Sequence, residues 1–382
     1  MKIVIAPDSF KESLTAEEAC RAIEEGFKKI FSQATYAKVP MADGGEGTME
    51  ALVSARGGHI YEAETLDPLG KPIKAVYAIL GDGQTAVIEM AKTSGLALVP
   101  REERNPLITT TYGTGQLIKA ALDKGATNFL VTIGGSATND GGVGMVQALG
   151  GHFYDKEGKE LAFGGGELGK LVKIDLSRLD NRLSKVTITA ACDVDNPLTG
   201  PRGASRTFGP QKGATPEGVE LLDANLKHLA GIIKSQLGKD IEEAPGAGAA
   251  GGIGGGLMAF ANAKLERGVN IVAKAANLEE TIKNANLVIT AEGGMDFQTR
   301  FGKTPYGVAQ VAKKYNLPVI ALVGTIGKEA ETLYEHGFDA IFSIVPGAVS
   351  LEEALKDGFK NLANCSENVA RLIKATGGLK ID

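Results

Sequence analysis

The chain has no tryptophan, four histidines and three cysteines, and each scarcity removes a class of chemistry. Cys20, Cys192 and Cys365 are odd in number, far apart and without a CxxC spacing, so neither a disulfide framework nor a zinc site is indicated and a reducing compartment is expected. His59, His152, His228 and His336 stand apart from the glycine-rich motifs, and no GxSxG elbow occurs, which takes support from histidine-base and serine-hydrolase chemistry. No stretch approaches the roughly 18 apolar residues of a membrane span. The opening run from Met1 to Ala6 is ended by Pro7-Asp8 before a signal-peptide core forms, so a cytoplasmic location is expected. Long basic runs are also lacking: the net charge is −5, with acids and bases interspersed, and nucleic acid is not expected as a partner.

At 382 residues the chain exceeds the size at which one core stops growing, so two domains are expected. With 43% hydrophobic and 23% charged residues it is globular and not disordered. Glycine is in excess, with 51 residues, about twice the usual share.

Short β-branched runs alternate with helical patterns, which points to a mostly parallel α/β fold. Strands are expected at 2–6, 129–133, 186–191, 287–290, 319–323 and 340–345. Thr15 with Glu18 forms a capping-box pattern opening a helix whose buried face is Ala19, Ala22, Ile23, Phe27 and Ile30. Residues 60–90 alternate differently, with turns at Pro68-Leu69-Gly70 and Gly81-Asp82-Gly83, which predicts an antiparallel patch. The expected organisation is a Rossmann-like parallel-sheet domain of residues 1–60 and 285–382, with an inserted mixed α/β domain at 61–284.

Polar glycine-rich segments follow strand candidates, where open α/β sheets bind ligands. They include Asp8, Ser9 and Lys11; Gly134, Gly135, Ser136, Asn139 and Asp140; Asp193 and Asn196; and Glu292 with Asp296. Asp43, Gly44 and Gly45 precede a helical run, where bare backbone and a helix start favour an anion. Taken singly, each such turn is most simply a tight turn. Gly246-x-Gly248-x-x-Gly251 matches a dinucleotide fingerprint, but no strand is read before it, and phosphate binding and close helix packing stand as equal readings. Gly302-Lys303-Thr304 has Phe297 where a P-loop needs its first glycine. The carboxylates Asp8, Asp43, Asp140, Asp193 and Asp296 set against Lys11, Lys212 and Lys303 are the kit of phosphoryl transfer.

In order and spacing these motifs resemble the class I glycerate kinase family. The resemblance rests on the opening Ala6 to Ala16, on Ala42 to Thr48, on residues 134–142, on Asp193 to Leu198, on Phe208 to Ala214 with Gln211 and Lys212, and on residues 246–252 and 292–303. Glu12 and Ala291 stand where that family usually has glycine. The resemblance implies ATP-dependent phosphorylation of D-glycerate at the 2-hydroxyl with Mg²⁺, in a cleft between the two domains. Phosphoryl transfer to an alcohol asks for two carboxylates with separate roles. Asp193 is the expected acceptor-side group, and Asp296 with Glu292 the metal pair. Lys11 and Lys303 are expected on anionic groups, and Gln298, Thr299, Gly248 and Gly251 in substrate or nucleotide binding. The rival readings are a hydroxy-acid dehydrogenase using the Gly246 fingerprint and a non-enzymatic sugar-acid binding protein. Whether the chain forms a homo-oligomer is left open.

Overall fold

The computed structural model describes residues 1–377. The strands are β1 (Lys2–Ile5), β2 (Thr35–Lys38), β3 (Gly58–Leu66), β4 (Pro72–Leu80), β5 (Thr85–Glu89) and β6 (Asn128–Thr132). They continue with β7 (His152–Tyr154), β8 (Lys173–Asp175), β9 (Thr187–Ala191) and β10 (Lys264–Glu266). The last are β11 (Leu287–Met295), β12 (Val319–Ile326) and β13 (Ala340–Ser343). All six expected parallel strands are present, displaced by at most a few residues at their ends, and the fold is α/β with parallel-rich sheets. Among the described residues no helix is long and apolar enough to cross a membrane.

The chain divides into two compact units. The first takes Met1–Asp43, Glu50–Gly57 and the described residues from Val269 to 377; the second takes Gly44–Met49 and Gly58–Gly268. The return to the first unit thus comes at Val269 and not near residue 285. The reason is packing: a Cβ on Gly307, in helix Thr304–Lys313, would meet the Val269 side chain at 2.2 Å, so the glycine exists to let that segment close on the first unit.

In the first unit five parallel strands run in the order β13-β12-β11-β1-β2. Numbered within the unit this is the doubly wound order 2-1-3-4-5, whose direction of winding reverses between β1 and β11, and ligands of such sheets bind at the carboxyl ends of the strands at that reversal. Ile3, Ile5, Leu287 and Ile289 are fully buried at its centre. Helix Ala16–Lys28 opens with the expected capping box, Thr15 accepting from the Glu18 N–H and Glu18 from the Thr15 N–H. Of its expected buried face, Ala19, Ala22, Ile23 and Phe27 are fully buried. Ile30 lies beyond the last turn and is half-buried. Gly26 lets this helix press on helix Gly358–Ala375, since a Cβ there would lie 2.3 Å from the Ala363 carbonyl.

In the second unit a six-stranded sheet runs β10-β9-β6-β5-β4-β3, with β5, β6, β9 and β10 parallel and β3-β4-β5 antiparallel. The antiparallel patch falls where the alternation predicted it. Its first turn is built by Asp67, whose Oδ1 accepts the N–H groups of Leu69 and Lys71 at 2.8 Å each, with Gly70 at φ +76°. The small β7-β8 ribbon and β10, three residues each, carried too little pattern to be read from sequence.

Glu12 lies at φ +63° in the tight turn where the Phe10 N–H donates to the Leu14 carbonyl at 2.8 Å. A left-handed residue with a Cβ costs about 1–2 kcal/mol, and glycine loses part of that advantage, about 0.5–1 kcal/mol, to its greater chain entropy. Glu12→Gly is therefore expected to raise stability by about 0.5–1 kcal/mol in urea denaturation. A variant less stable than the parent would contradict the strain argument.

Candidate active site

At the reversal point of the first sheet, Asp8 follows β1 and Glu292 sits inside the carboxyl half of β11. The Asp8 N–H donates to the Ala291 carbonyl at 2.8 Å, which ties the two strand ends together. Asp8 Oδ1 accepts the Ser9 N–H at 2.7 Å, and Oδ2 accepts the Thr304 hydroxyl at 2.5 Å. Burial pushes the Asp8 carboxyl up to about 6; the Thr304 hydrogen bond works against this and the charge of Asp43 adds to it. Glu292 is pushed further, to about 8, by burial first; Lys303 lowers it, and Asp8 and Asp43 raise it. Three carboxylates thus repel one another at a strand end, with Lys303 as the cation opposing them.

Asp296 has another place. It caps the short 3-10 helix Phe297–Phe301, its Oδ1 accepting the Gln298 N–H at 2.8 Å, and it lies 4.0 Å from Lys303 Nζ. Lys303, Asp8 and Asp43 are the charges that act most on Glu292, so the carboxylates Asp8 and Asp43 stand beside the expected Asp296 and Glu292 pair. Thr299 is fully buried, its hydroxyl 3.5 Å from Glu292 Oε1, and Gln298 is exposed. Lys303 Nζ also reaches the Gly294 carbonyl at 3.3 Å. Lys11 is exposed on the turn after Asp8, and Ser9 hydrogen-bonds Asp8.

Among the described residues no three carboxylate, imidazole or thiolate side chains form a metal cage on their own. Mg²⁺ does not need one, since it keeps several waters and takes one or two carboxylates together with substrate phosphates. Hard oxygen donors whose mutual repulsion a cation relieves are what Asp8, Asp43 and Glu292 present, and the residues fit the ion.

In the second unit the loop after β6 carries the remaining motif. Gly134 and Gly135 are exposed, and Gly135 turns the chain at φ +75°. Ser136 is 5% exposed and receives a hydrogen bond from Lys212 Nζ at 2.6 Å. Lys212, itself 2% exposed, also donates to the Thr138 carbonyl at 2.7 Å. Burial pushes its ammonium down to about 7, with Asp140 pulling it back up. Asn139 is fully buried and donates to Ser205 Oγ at 3.0 Å.

Asp140 is an interior residue, 1% exposed, and its partners belong to the protein. Its Oδ2 accepts the Thr111 N–H and hydroxyl, both at 2.8 Å, and the Gly144 N–H at 3.3 Å; Oδ1 accepts the Gly142 N–H at 3.1 Å. Thr111 Oγ1 in turn accepts the Met145 N–H at 2.9 Å, so its proton is committed to Asp140. Burial raises the Asp140 carboxyl above its ordinary range, while four donors oppose that shift and hold the anion.

The glycine string resolves in favour of packing. Gly248 and Gly251 are buried; a Cβ on Gly248 would meet the Pro197 carbonyl at 2.1 Å, and one on Gly251 the Thr138 carbonyl at 1.9 Å. Residues 238–245, directly before Gly246, form no strand, so the dinucleotide fingerprint and the dehydrogenase reading built on it lose their footing. Gly44 likewise serves close approach, at φ +87° with its missing Cβ 2.8 Å from that of Ala191, while the Gly45 carbonyl accepts the Thr48 hydroxyl. Asn196 Nδ2 holds the Arg202 carbonyl at 2.6 Å, and Gln211 is exposed. Asp193 is exposed two residues past β9, and its Oδ1 accepts the Gly268 N–H at 3.0 Å. Thr304 and Thr111 were missed from sequence. Thr304 had a signal, adjacency to Lys303 at a helix start; Thr111 lies 29 residues from Asp140 and had none.

Two outcomes follow for the second unit. Asp140→Asn turns an NH₂ group towards donors and leaves buried N–H groups unsatisfied, at about 1–3 kcal/mol each; a loss of about 3 kcal/mol or more is expected in urea denaturation, and an unchanged midpoint would show that the residue is not structural. Lys212 titrates near 7 when folded and at an ordinary value of 10.5 when unfolded. Between those values the unfolded chain holds the extra proton, so this group makes stability rise with pH across the window and adds no slope below it. Melting curves of Lys212→Met are expected to lack that rise relative to the parent.

Residues 3–374 match the model of the glycerate kinase family. The chain is 54% identical over 374 residues to a Bacillus subtilis (strain 168) protein named glycerate kinase, covering 98% of each chain. It is 54% identical over 370 residues to an Escherichia coli (strain K12) protein named glycerate 2-kinase, covering 97% of each. A crystal structure of a candidate glycerate kinase 2 from Salmonella typhimurium LT2 superposes with a TM-score of 0.92 at 51% identity, covering 99% of each chain. With the family model matched over residues 3–374 and with fold and near-complete length shared, the chain belongs to the glycerate kinase family.

Proposed function

We propose that this chain transfers the γ-phosphoryl group of ATP to the 2-hydroxyl of D-glycerate, with Mg²⁺, in the cytoplasm. The observation that carries the reading is the group of three carboxylates, Asp8, Asp43 and Glu292, gathered beside Lys303 at the reversal point of the first sheet. Burial raises the first and last of these, and a cation would favour their charged forms. The choice of the 2-hydroxyl rests on the name of the Escherichia coli relative.

Asp8 and Glu292, on adjacent strand ends, would supply the one or two carboxylates that Mg²⁺ takes, with the charge of Asp43 adding to their pull; the ion when bound would spread the charge of the phosphate oxygens. Thr304 fixes the rotamer of Asp8 through their hydrogen bond. Lys303, drawn towards Glu292 and the Gly294 carbonyl, is a positive charge at the same strand end, suited to phosphate oxygens. Lys11, on a rigid turn three residues past Asp8, supplies a second one. Asp193 is the carboxylate assigned to the acceptor hydroxyl, oriented by the Gly268 N–H.

Purified protein supplied with ATP and D-glycerate is expected to form a product that mutase-free enolase consumes, and excess chelator is expected to stop turnover. A product that enolase leaves untouched would overturn the 2-hydroxyl assignment, and full turnover in chelator the metal. Glycerate binding without ADP formation would support the binding-protein reading instead. Lys303→Met is expected to lower kcat/KM by about a hundredfold or more, the scale of one charge-assisted contact in a water-excluded site. Asp193→Asn is expected to lower kcat by about a hundredfold while leaving the fold intact; a loss within about threefold would return Asp193 to a purely structural role.

A further inference from the structure

Lys212 is a cation sealed inside the second unit, and among the described residues no carboxylate lies within salt-bridge distance of it. Its two acceptors are the Ser136 hydroxyl oxygen and the Thr138 carbonyl. An ammonium has donors only. Ser136 Oγ must therefore accept from Lys212, and its own proton is turned away from the lysine. Next to Ser136 the chain exposes bare backbone at Gly134 and Gly135, the latter in a left-handed turn. The loop is held from behind as well, because the missing Cβ of Gly251 leaves room for the Thr138 carbonyl.

We propose that Lys212 is a positioning residue for the phosphoryl-transfer reaction, one that makes the Ser136 hydroxyl an obligate donor to an anionic group seated on the Gly134 and Gly135 turn. The inference rests on the kinase reading above. The anionic group is a phosphate of the nucleotide or the carboxylate of the acceptor; both ask for the same donor. Lys212 acts through Ser136 and does not itself reach the ligand, since it is 2% exposed.

The arrangement has a direction that depends on a proton. When the ammonium loses it, the amine gains a lone pair, and the Ser136 O–H can swing inward to donate to Lys212 instead of to the ligand. Burial lowers the lysine towards neutrality and Asp140 is the charged group whose field opposes this. Donor strength at Ser136 therefore falls as pH rises through the Lys212 titration.

The test is a double-mutant cycle on the full chain with Lys212→Met, Ser136→Ala and the pair, read as kcat/KM for ATP and for D-glycerate separately. Each single variant is expected to lose about tenfold or more against one substrate, the worth of one hydrogen bond to a charged group, and the double variant is expected to be no worse than the weaker single. The substrate whose KM moves identifies the anion. In the parent, kcat/KM for that substrate is expected to decline on the alkaline side, and Ser136→Ala is expected to lack that limb. Additive losses, or a limb that persists without the hydroxyl, would overturn the proposal.

A second measurement does not depend on turnover. In NMR of the protein carrying ¹³C-labelled lysine, Lys212 is expected to titrate well below the exposed lysines, and its midpoint is expected to fall further in Ser136→Ala, which removes an acceptor of the ammonium. An unchanged midpoint there refutes the coupling, even if Lys212→Met fails to fold. If the parent does not phosphorylate glycerate, the kinase reading fails, and the titration alone decides whether Lys212 and Ser136 are coupled.

Discussion

Asp140 carries its charge in the interior of the second unit, and the shape of the loop after β6 follows from how that charge is satisfied. A buried carboxylate is tolerated when donors converge on it. Here they come from Thr111, far upstream, and from the turn at Gly142 and Gly144 immediately downstream. That convergence fixes where residues 140–144 pass, and little tolerance remains around it: a Cβ on Gly144 would stand 2.2 Å from Thr110 Oγ1, and one on Gly256 2.5 Å from the Gly141 carbonyl. Lys212 reaches the same interior from the other side of the loop, so an anion and a cation that make no direct salt bridge hold the two flanks of one segment. The exposed glycines at 134 and 135 are then presented on a rigid base, as a binding surface requires.

The first unit solves a different problem. Its strand order places the ends of β1 and β11 side by side, and each end carries a carboxylate. Close-packed strands beneath them, fully buried at Ile3, Ile5, Leu287 and Ile289, leave little water to screen the repulsion. Such an arrangement costs stability and is kept where function draws on it. Lys303 and the Thr304 hydrogen bond to Asp8 offset part of the repulsion, and both come from the start of one helix.

Glycine excess, the most conspicuous compositional feature, divides between two uses. In the 246–256 string contact distance and φ act together, with neighbouring backbone close to where side chains would be and Gly246, Gly251 and Gly252 at positive φ. At Gly135 and Gly142 it is a matter of φ, where the chain must turn left-handed. Glu12 shows the second use by exception, holding at φ +63° a conformation that favours glycine. Ala291 is the opposite case: it is fully buried within β11, a position with no need of glycine's freedom.

By itself the amino-acid sequence determined the fold class, six of the parallel strands, the antiparallel patch and the capped first helix, because hydrophobic period, turn residues and caps are local and act over a few residues. It also marked the loops that carry the candidate chemistry, since polar glycine-rich turns after strands are visible without a structure. Only the tertiary structure decided which members of those loops face inward. Asp140, Asn139, Gly248 and Gly251 look like ligand residues in the chain and are interior ones in the fold, while Asp8 and Asp43 are brought near Glu292. The reason is that charge repulsion, burial and backbone contact act between segments tens to hundreds of residues apart, such as Asp8 and Thr304, and no local pattern records those distances.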